Sequence, residues 1–173
     1  MKKVLIHGSG HKADSWNKVI AYMNNAKDII CPNLATILNG KEASYTNLYS
    51  SFAEYCNKTD RKIDLCGLSL GGILALNYAI DYPDKIDKLI LIGTPHKVPK
   101  VMFSIQNVIF KFLPKSLFET MAFNKKDTFT LGNTMKSLDF SNRIHEIQCP
   151  TLVICGEKDS ANIKSAYYLS ENI

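Results

Sequence analysis

Five short runs of apolar and β-branched residues recur along the chain and predict the strands of a sheet. They read KKVLIHG, DIICPNL, KIDLCGLS, KLILIGT and PTLVICGEKD, and each is apolar enough to be buried on both faces. Between the first four runs lie patterns of helical period, over residues 14–25, 44–58 and 70–82. Strands that alternate with helices of this size predict an α/β fold, with a mostly parallel sheet and helices on both faces.

The alternation breaks between residues 94 and 148, because about fifty residues separate two predicted strands and a connecting loop needs far fewer. The first half of this segment, VMFSIQNVIFKFLPKSLF, is apolar, and the second half is polar and loosely helical. We predict that residues 95–148 form a helical cap on a core made of residues 1–94 and 149–173. The alternative is a lid whose lysine-rich face meets anionic substrates or a lipid surface.

Composition narrows the class of protein. A chain of 173 residues with 46% hydrophobic and 21% charged residues is expected to form one domain with a real core. The net charge is +5, and residues 95–144 alone hold eight Lys or Arg against three Asp or Glu. A basic excess confined to one segment argues against nucleic-acid binding. With no apolar run of membrane-spanning length and no secretory signal in MKKVLIHGSG, we expect a cytoplasmic protein without membrane contact.

The five cysteines form no CxxC pair, and several lie inside apolar strand-like runs. An odd number of cysteines without a secretion signal indicates reduced thiols. We therefore expect neither a disulfide framework nor a zinc site. The glycine-rich segment HGSGHKADSW lacks the third glycine of a dinucleotide-binding loop, so a nucleotide cofactor is not indicated either.

The stretch CGLSLGGI holds Ser69 between Gly67 and Gly71, where a predicted strand gives way to a predicted helix. In so sharp a turn the serine is forced into a strained backbone conformation, and the residues two before and two after it must be small. The start of the following helix directs free N–H groups to the place where an oxyanion would form. The stretch predicts a nucleophile, although an ordinary βα turn would explain the pentapeptide equally well.

Polar residues also follow the first and last predicted strands. His7, Gly8 and Ser9 follow the first strand, and Asp159 follows the last. The carboxyl ends of parallel strands meet at one edge of a sheet, so these residues and Ser69 are expected to converge. A serine attacks a carbonyl only when a base takes its proton and hydrogen-bond donors hold the developing oxyanion. The residues at each of these strand ends could therefore have a role in such a reaction.

The segments VLIHGSG, CGLSLGG and CPTLVICGEKD, in this order, resemble the α/β-hydrolase superfamily, and especially its small carboxylesterase and lipase-like members. The resemblance covers almost the whole chain. It implies a serine hydrolase that acts on small carboxylic esters through an acyl-enzyme intermediate and needs no cofactor. It further implies that Ser69 is the nucleophile, that the backbone N–H groups of Ser9 and Leu70 form the oxyanion hole, and that Asp159 is the acid.

The family pattern also requires a histidine after the acid, and here the sequence departs from it. All the histidines precede Asp159, and they are His7, His11, His96 and His145. The resemblance implies that His7 anchors the oxyanion loop, while Gly8, His11 and His96 are expected to lie on the substrate side. We expect a chain that lacks the last strand and helix of the fold, cleaves esters weakly or not at all, and self-associates through the open sheet edge.

Two other functions stay open. The first is a pseudo-hydrolase that uses the fold to bind a ligand without turnover. The second is hydrolysis of a thioester, a lactone, a C–C bond or a peptide, since all of these use the same three roles. A dehalogenase or an epoxide hydrolase with an aspartate nucleophile is disfavoured because the turn carries Ser69.

Overall fold

Five parallel strands form the sheet that positions the site, in a computed structural model that describes residues 1–24, 26–98 and 114–173. The strands are β1 (Lys3–Ile6), β2 (Ile29–Ile30), β3 (Ile63–Leu68), β4 (Ile86–Ile92) and β5 (Thr151–Ile154). They lie in the order β2-β1-β3-β4-β5, and every neighbouring pair is parallel. The predicted α/β fold is confirmed. Within the described residues β5 is an edge strand that pairs with β4 alone.

Seven α-helices lie in the described part of the chain, and none of them is long and apolar enough to cross a bilayer. They are α1 (Asn17–Ile20), α2 (Leu34–Ile37), α3 (Tyr45–Asn57), α4 (Leu70–Asp81), α5 (Lys115–Glu119), α6 (Lys125–Met135) and α7 (Ile163–Asn172). The helices predicted over residues 44–58 and 70–82 are confirmed as α3 and α4.

The helix predicted over residues 14–25 is correct only in part. A 3-10 turn, Ala13–Trp16, precedes the single turn of α1, and residue 25 lies outside the described residues. The Ser15 hydroxyl donates to the Lys12 carbonyl at 2.8 Å. Serine side chains that bond back to the local backbone favour tight turns over helix, which explains the shortened element.

The two faces of the sheet are covered unequally. On one face α3 and α4 bury a large core that includes Phe52 and Leu74. On the other face a smaller cluster forms around Trp16. The register places Leu152 and Ile154 on that second face, beside Ile90 and Ile92, and their side chains are 53% and 42% exposed. The expectation that every strand is buried on both faces is therefore wrong for β5, because no described helix covers this part of the sheet.

The described residues between 114 and 148 pack against the core. Phe123, Leu131 and Met135 are buried in the main core cluster. The backbone N–H of Tyr45, the first residue of α3, donates to the Thr134 hydroxyl on α6 at 2.8 Å. Most of the apolar half of the predicted cap lies outside the described residues, and the boundaries of the cap at residues 95 and 148 stay a prediction.

An antiparallel bridge joins the start of the 95–148 segment to a stretch around Asp139. Val98 N–H donates to the Leu138 carbonyl at 3.0 Å, and Phe140 N–H donates to the His96 carbonyl at 2.9 Å. On this bridge Lys97 forms an ion pair with Asp139 at 2.6 Å. The carboxylate is thereby stabilised in its charged form, mainly by the hydrogen bond from Lys97, which lowers the pKa of Asp139. The bridge therefore brings residues 96–98 beside residues 138–140.

Candidate active site

Ser69 occupies a strained turn between β3 and α4. Its φ of 52° and ψ of −111° lie in a region that residues other than glycine rarely adopt. Two backbone hydrogen bonds of 2.9 Å hold it there: Ser69 N–H donates to the Ile92 carbonyl, and the Ser69 carbonyl accepts from Ile73 N–H. The serine side chain makes no capping hydrogen bond with α4, and the residue is exposed. The hydroxyl is therefore accessible to a ligand.

The glycines around Ser69 are required by close backbone contacts. An ideal Cβ on Gly71 would lie 2.7 Å from the Ile6 carbonyl carbon and 2.8 Å from the His7 carbonyl oxygen. A Cβ on Gly67 would lie 2.5 Å from the backbone nitrogen of Gly72. The atoms that would be struck are backbone atoms, which cannot move aside. The close approach of α4 to β3 at Gly67 and to β1 at Gly71 thus depends on the two glycines that the sequence pattern singles out.

His7 anchors the loop that follows β1. The side chain is fully buried, its Nδ1 donates to the Gly8 carbonyl at 2.8 Å, and its Nε2 accepts from Leu34 N–H at 3.1 Å. Since Leu34 N–H is the donor, Nε2 carries no proton and the ring is the neutral Nδ1–H tautomer. Burial lowers the pKa of His7, which agrees with a neutral ring.

The same loop brings Gly8 and His11 beside Ser69. An ideal Cβ on Gly8 would lie 3.3 Å from His11 Nδ1 and 3.6 Å from Ser69 Cβ. The backbone N–H of His11 donates to the Gly8 carbonyl at 3.1 Å and closes a tight turn that contains Ser9. Gly8 is buried, Ser9 is half-buried and His11 is exposed. The turn therefore leads from the buried anchor of the loop to an exposed imidazole near the serine.

Leu70, the second residue predicted for the oxyanion hole, is the first residue of α4. A first-turn N–H has no acceptor within its own helix, and the helix dipole adds positive potential there. The Leu70 side chain is 2% exposed, so the residue is fixed by the core while its backbone lies next to Ser69. These properties suit an oxyanion donor, and the assignment of Leu70 and Ser9 stays a prediction.

Asp159 lies in a turn after β5, and its carboxylate is bonded to Asn162. Oδ1 accepts from the Asn162 backbone N–H at 3.2 Å, and Oδ2 accepts from the Asn162 side-chain amide at 2.9 Å. A Cβ on Gly93 would lie 3.4 Å from Asp159 Oδ2. Ser69 N–H donates to the Ile92 carbonyl, and Asp159 lies next to Gly93. Ser69 and Asp159 therefore lie beside two consecutive residues at the end of β4.

The thiol of Cys155 is close to this carboxylate. Burial, and after it the negative charge of Asp159, raises the pKa of Cys155.

His96, which the sequence predicts on the substrate side, packs against α7. Its ring stacks on Tyr168 with centroids 4.2 Å apart and an angle of 14° between the planes. Burial lowers the pKa of His96, and its Nδ1 has no hydrogen-bond partner among the described residues. His145 is exposed, in the 3-10 turn Ile144–Glu146. A substrate contact by His96 stays a prediction.

Two residues that shape this region, Gly72 and Asn162, are not predicted from the sequence. A Cβ on Gly72 would lie 2.9 Å from the Thr94 Cβ, so the second glycine of the GG pair lets α4 pack on the end of β4. The pair of consecutive glycines, Gly71 and Gly72, is the sequence signal from which this close packing could have been predicted. The second residue is Asn162, three positions after Asp159. At this spacing the side chain of the earlier residue commonly accepts the backbone N–H of the later one at the start of a helix. Among the described residues no cluster of His, Cys, Asp or Glu is arranged to hold a metal ion.

Comparison with known proteins agrees with this geometry. The family described as alpha/beta hydrolase fold matches residues 4–131. The chain belongs to this family. A pimeloyl-[acyl-carrier protein] methyl ester esterase of Wigglesworthia glossinidia brevipalpis is 27% identical in an alignment that covers 90% of this α/β hydrolase and 74% of the relative.

Solved structures show the same fold. A hydrolase from Pseudomonas aeruginosa PA01 superposes with a TM-score of 0.77 at 17% identity, over 99% of this chain and 78% of that one. An enol-lactonase from Burkholderia xenovorans LB400 gives a TM-score of 0.76 at 15% identity, over 99% and 79% of the two chains. At these identities the likeness concerns the fold alone. The chain is thus an α/β hydrolase with relatives named as esterases.

Proposed function

We propose that this α/β hydrolase cleaves carboxylic esters through an acyl-enzyme intermediate on Ser69. The observation that carries the proposal is the positive φ of 52° at an exposed serine directly before a helix. Such strain persists only where the surroundings hold it, and it concentrates at functional sites. The name of the 27% identical relative, a methyl ester esterase, supports an ester as the substrate.

The chemistry follows from the groups around Ser69. The serine Oγ adds to the ester carbonyl carbon while its proton passes to a base, and the carbonyl electron pair moves onto oxygen. The backbone N–H groups of Leu70 and Ser9 donate to this oxyanion. When the carbonyl re-forms, the C–O bond to the alcohol breaks and the alcohol takes the proton. Water then repeats the sequence, releases the carboxylic acid and restores Ser69.

The rate expected of this chain is low. The resemblance gives Asp159 the task of orienting a histidine, and no histidine follows Asp159 in these 173 residues. An oxyanion hole and substrate binding alone retain roughly 10³–10⁴-fold catalysis over water. We therefore propose a weak esterase for the chain as it stands, acting on esters with a short acyl chain or a small alcohol such as methanol.

A second candidate function is ligand binding without turnover. The observation that favours it is the engagement of both Asp159 carboxylate oxygens by Asn162. A carboxylate held in this way serves the local turn, and that role alone accounts for its position without catalysis. In this case the exposed surface around Ser69 would bind an ester or an acid and release it unchanged.

Burst kinetics with p-nitrophenyl butyrate separate the two candidates. We expect a burst of p-nitrophenolate, one equivalent per active chain, that is lost in Ser69→Ala. The matched control is Ser170→Ala, which removes an exposed hydroxyl on α7 that bonds only locally, to the Tyr167 carbonyl. Equal rates in Ser69→Ala and the unaltered chain would refute the serine mechanism. Saturable binding of butyrate without a burst would instead support the binding function.

A further inference from the structure

The loop that follows β1 reaches α5 through Lys12. The Nζ of Lys12 donates to the carbonyl of Glu119, the last residue of α5, at 2.8 Å. We infer that Lys12 is a positioning residue, and that α5 uses this bond to hold residues 8–12, which include the predicted oxyanion donor Ser9, in place beside Ser69. The inference rests on the proposed function, because it adds a residue that acts on the same site through the backbone of the loop.

The two ends of this loop are anchored in the core. At its start, the fully buried His7 accepts from Leu34 N–H at 3.1 Å. At its end, the buried Trp16 packs in the smaller cluster on the second face of the sheet. Between these anchors Ser9 is half-buried and His11 is exposed. Segments with few buried contacts open at the lowest free energy, so a contact in the middle of the loop has a large influence on its position.

Lys12 supplies such a contact and passes it to its neighbours in the chain. Its own carbonyl accepts from the Ser15 N–H at 3.1 Å and from the Ser15 hydroxyl at 2.8 Å. The N–H of the preceding residue, His11, donates to the Gly8 carbonyl at 3.1 Å. Gly8 in turn lies against Ser69, whose Cβ is 3.6 Å from the ideal Cβ position of the glycine. A continuous series of contacts therefore leads from α5 to the serine.

The same bond completes the end of α5. The last carbonyls of a helix have no donor within the helix and carry partial negative charge, so a cationic donor is favoured there. In α5 the Leu117 carbonyl accepts from the Thr120 hydroxyl at 2.8 Å, and the Glu119 carbonyl accepts from the Lys12 ammonium at 2.8 Å. A hydrogen bond from a charged donor is stronger than one between neutral groups. The half-buried Lys12 side chain thus stabilises both the loop and the helix end.

Helix α5 is attached to the core less firmly than α6. Leu131 and Met135 of α6 belong to the main core cluster. On α5, Phe118 is buried but lies outside both buried clusters of the described residues, and Leu117 is exposed. A shift of α5 therefore costs less than a shift of α6, and the bond to Lys12 carries such a shift to the loop.

The position of the loop matters for the rate of acylation. Removal of one oxyanion donor costs about 10²–10³-fold in rate, and misplacement of a reacting group by about 1 Å can cost on the order of 10²-fold. A donor such as Ser9 N–H in a loosened loop is misplaced for only part of the time, so the loss is smaller. The Lys12 ammonium bonds to a carbonyl of the protein and not to the ligand, so its removal changes the rate of the chemical step more than it changes binding.

The first test follows labelling of Ser69 by a fluorophosphonate, as intact mass, over a range of probe concentrations. Lys12→Met removes the ammonium and keeps an unbranched side chain. We expect it to lower the maximal labelling rate about tenfold or more, while the half-saturating concentration changes less than about twofold. Lys12→Arg keeps a cationic donor and should retain most of the rate. The matched control is Lys18→Met, which removes the same charge from an exposed position on α1.

A double-mutant cycle measures whether Lys12 acts through α5. Phe118→Ala removes the buried side chain of this helix and loosens it. If Lys12 acts through α5, Lys12→Met should slow labelling by only about twofold or less in the Phe118→Ala chain. Effects that multiply in the double variant would show that Lys12 acts within the loop alone, and would overturn the inference. Circular dichroism of each variant establishes that the fold is kept.

Hydrogen exchange of a peptide that covers residues 7–16 reports on the loop without any catalysis. The amides of His11 and Ser15 are protected by their bonds to the carbonyls of Gly8 and Lys12. We expect these amides to exchange at least about threefold faster in Lys12→Met than in the unaltered chain or in Lys18→Met. Equal exchange in all three chains would overturn the inference, because α5 would then not hold the loop.

The possible results separate this inference from the proposed function. Labelling that is lost in Ser69→Ala but unchanged in Lys12→Met would overturn the role of Lys12 and leave the serine hydrolase standing. A Lys12→Arg chain as slow as Lys12→Met would also overturn it, because a cationic donor would then not be what matters. No Ser69-dependent labelling in the unaltered chain would overturn the proposed function, and faster exchange in Lys12→Met would still support the hold of α5 on the loop.

Discussion

The Asp159 carboxylate accepts two hydrogen bonds from Asn162, one from its backbone N–H at 3.2 Å and one from its side-chain amide at 2.9 Å. The Asp159 carbonyl accepts from the N–H of Ile163, the first residue of α7, at 3.0 Å. Asp159 therefore organises the chain between β5 and α7, whatever it does in catalysis. Asp159 is predicted to be the catalytic acid because it follows the last strand. The same position also suits a residue that stabilises the start of the next helix.

This structural role predicts a loss of stability in Asp159→Ala. Removal of a side chain that accepts backbone N–H groups at a helix start costs about 0.5–2 kcal/mol of unfolding free energy. Asp159→Asn keeps an acceptor oxygen of the same shape and should retain most of the stability. Urea unfolding measures both, with Glu157→Ala as the control, because Glu157 is exposed in the same turn. An Asp159→Ala chain as stable as the control would contradict the assignment.

The strain at Ser69 predicts an order of stability between two variants that both lack the hydroxyl. Ser69→Gly relieves the positive φ of 52°, whereas Ser69→Ala keeps it. A residue other than glycine in such a region costs of order 1–3 kcal/mol, and the extra freedom of glycine in the unfolded chain offsets part of the gain. We therefore expect Ser69→Gly to be more stable than Ser69→Ala by about 1 kcal/mol in urea unfolding. A less stable glycine variant would show that the turn is not strained.

The parts of the fold that the sequence predicts are those set by local pattern. The parallel sheet, α3, α4 and the turn at Ser69 follow from apolar runs, helical spacing and the glycines on either side of the serine. Gly67 and Gly71 are recognisable because a sharp strand-to-helix turn requires small residues at fixed offsets. Each of these features depends on residues close together in the chain.

The features that depend on distant packing could not be predicted. The run PTLVICG reads as a strand buried on both faces, yet Leu152 and Ile154 are exposed, because burial depends on which helices reach that side of the sheet. The stacking of His96 on Tyr168 joins residues of separate elements, and no local pattern signals it.

The close crossing at Gly71 predicts a strong effect of one added methyl group. In Gly71→Ala the new Cβ would meet backbone atoms of Ile6 and His7, so β1 and α4 must separate. Overpacking of this kind typically costs about 1–3 kcal/mol, and we expect the upper part of that range because backbone is struck. The matched control is Gly10→Ala, whose Cβ would meet nothing within 4 Å. Thermal unfolding of the two variants tests this, and similar melting temperatures would contradict the crossing geometry.

The buried His7 predicts that stability falls in mild acid. Burial lowers its pKa from 6.5, so as the pH falls the unfolded chain takes up the proton before the folded one does. The contribution of the neutral His7 ring to the free energy of unfolding is complete above pH 6.5. It is lost as the pH falls from 6.5 towards the lowered pKa of the folded chain. Protonation also leaves Leu34 N–H without its acceptor, which costs about 1–3 kcal/mol for a buried donor.

Urea unfolding at about pH 5 and pH 7.5 checks this expectation. We expect the difference in unfolding free energy between the two pH values to shrink in His7→Gln and to persist in His145→Gln, where the ring is exposed. His96, whose pKa is also lowered by burial, contributes in the same direction in all three chains and cancels in the comparison. A pH dependence that survives unchanged in His7→Gln would contradict the role of the buried ring.

The open edge at β5 predicts self-association. Edge strands are normally protected by charged residues, by proline within the strand or by a covering element. Thr151–Ile154 contains neither charge nor proline, and Leu152 and Ile154 are exposed on the face beside Ile90 and Ile92. Antiparallel pairing of β5 with β5 of a second copy would join the two edges about a twofold axis and bury the same apolar patch on both chains.

Sedimentation velocity over a range of concentrations measures this association. We expect dimers to form with rising concentration, and Ile154→Lys to shift their formation to at least about tenfold higher concentration, because lysine on an edge strand opposes pairing. Val19→Lys is the matched control, since it places the same charge at an apolar position on α1 that is 47% exposed. If the unaltered chain stays monomeric at high concentration, the β5 edge is not a self-association surface. If both lysine variants weaken the dimer equally, added charge rather than loss of strand pairing accounts for the effect.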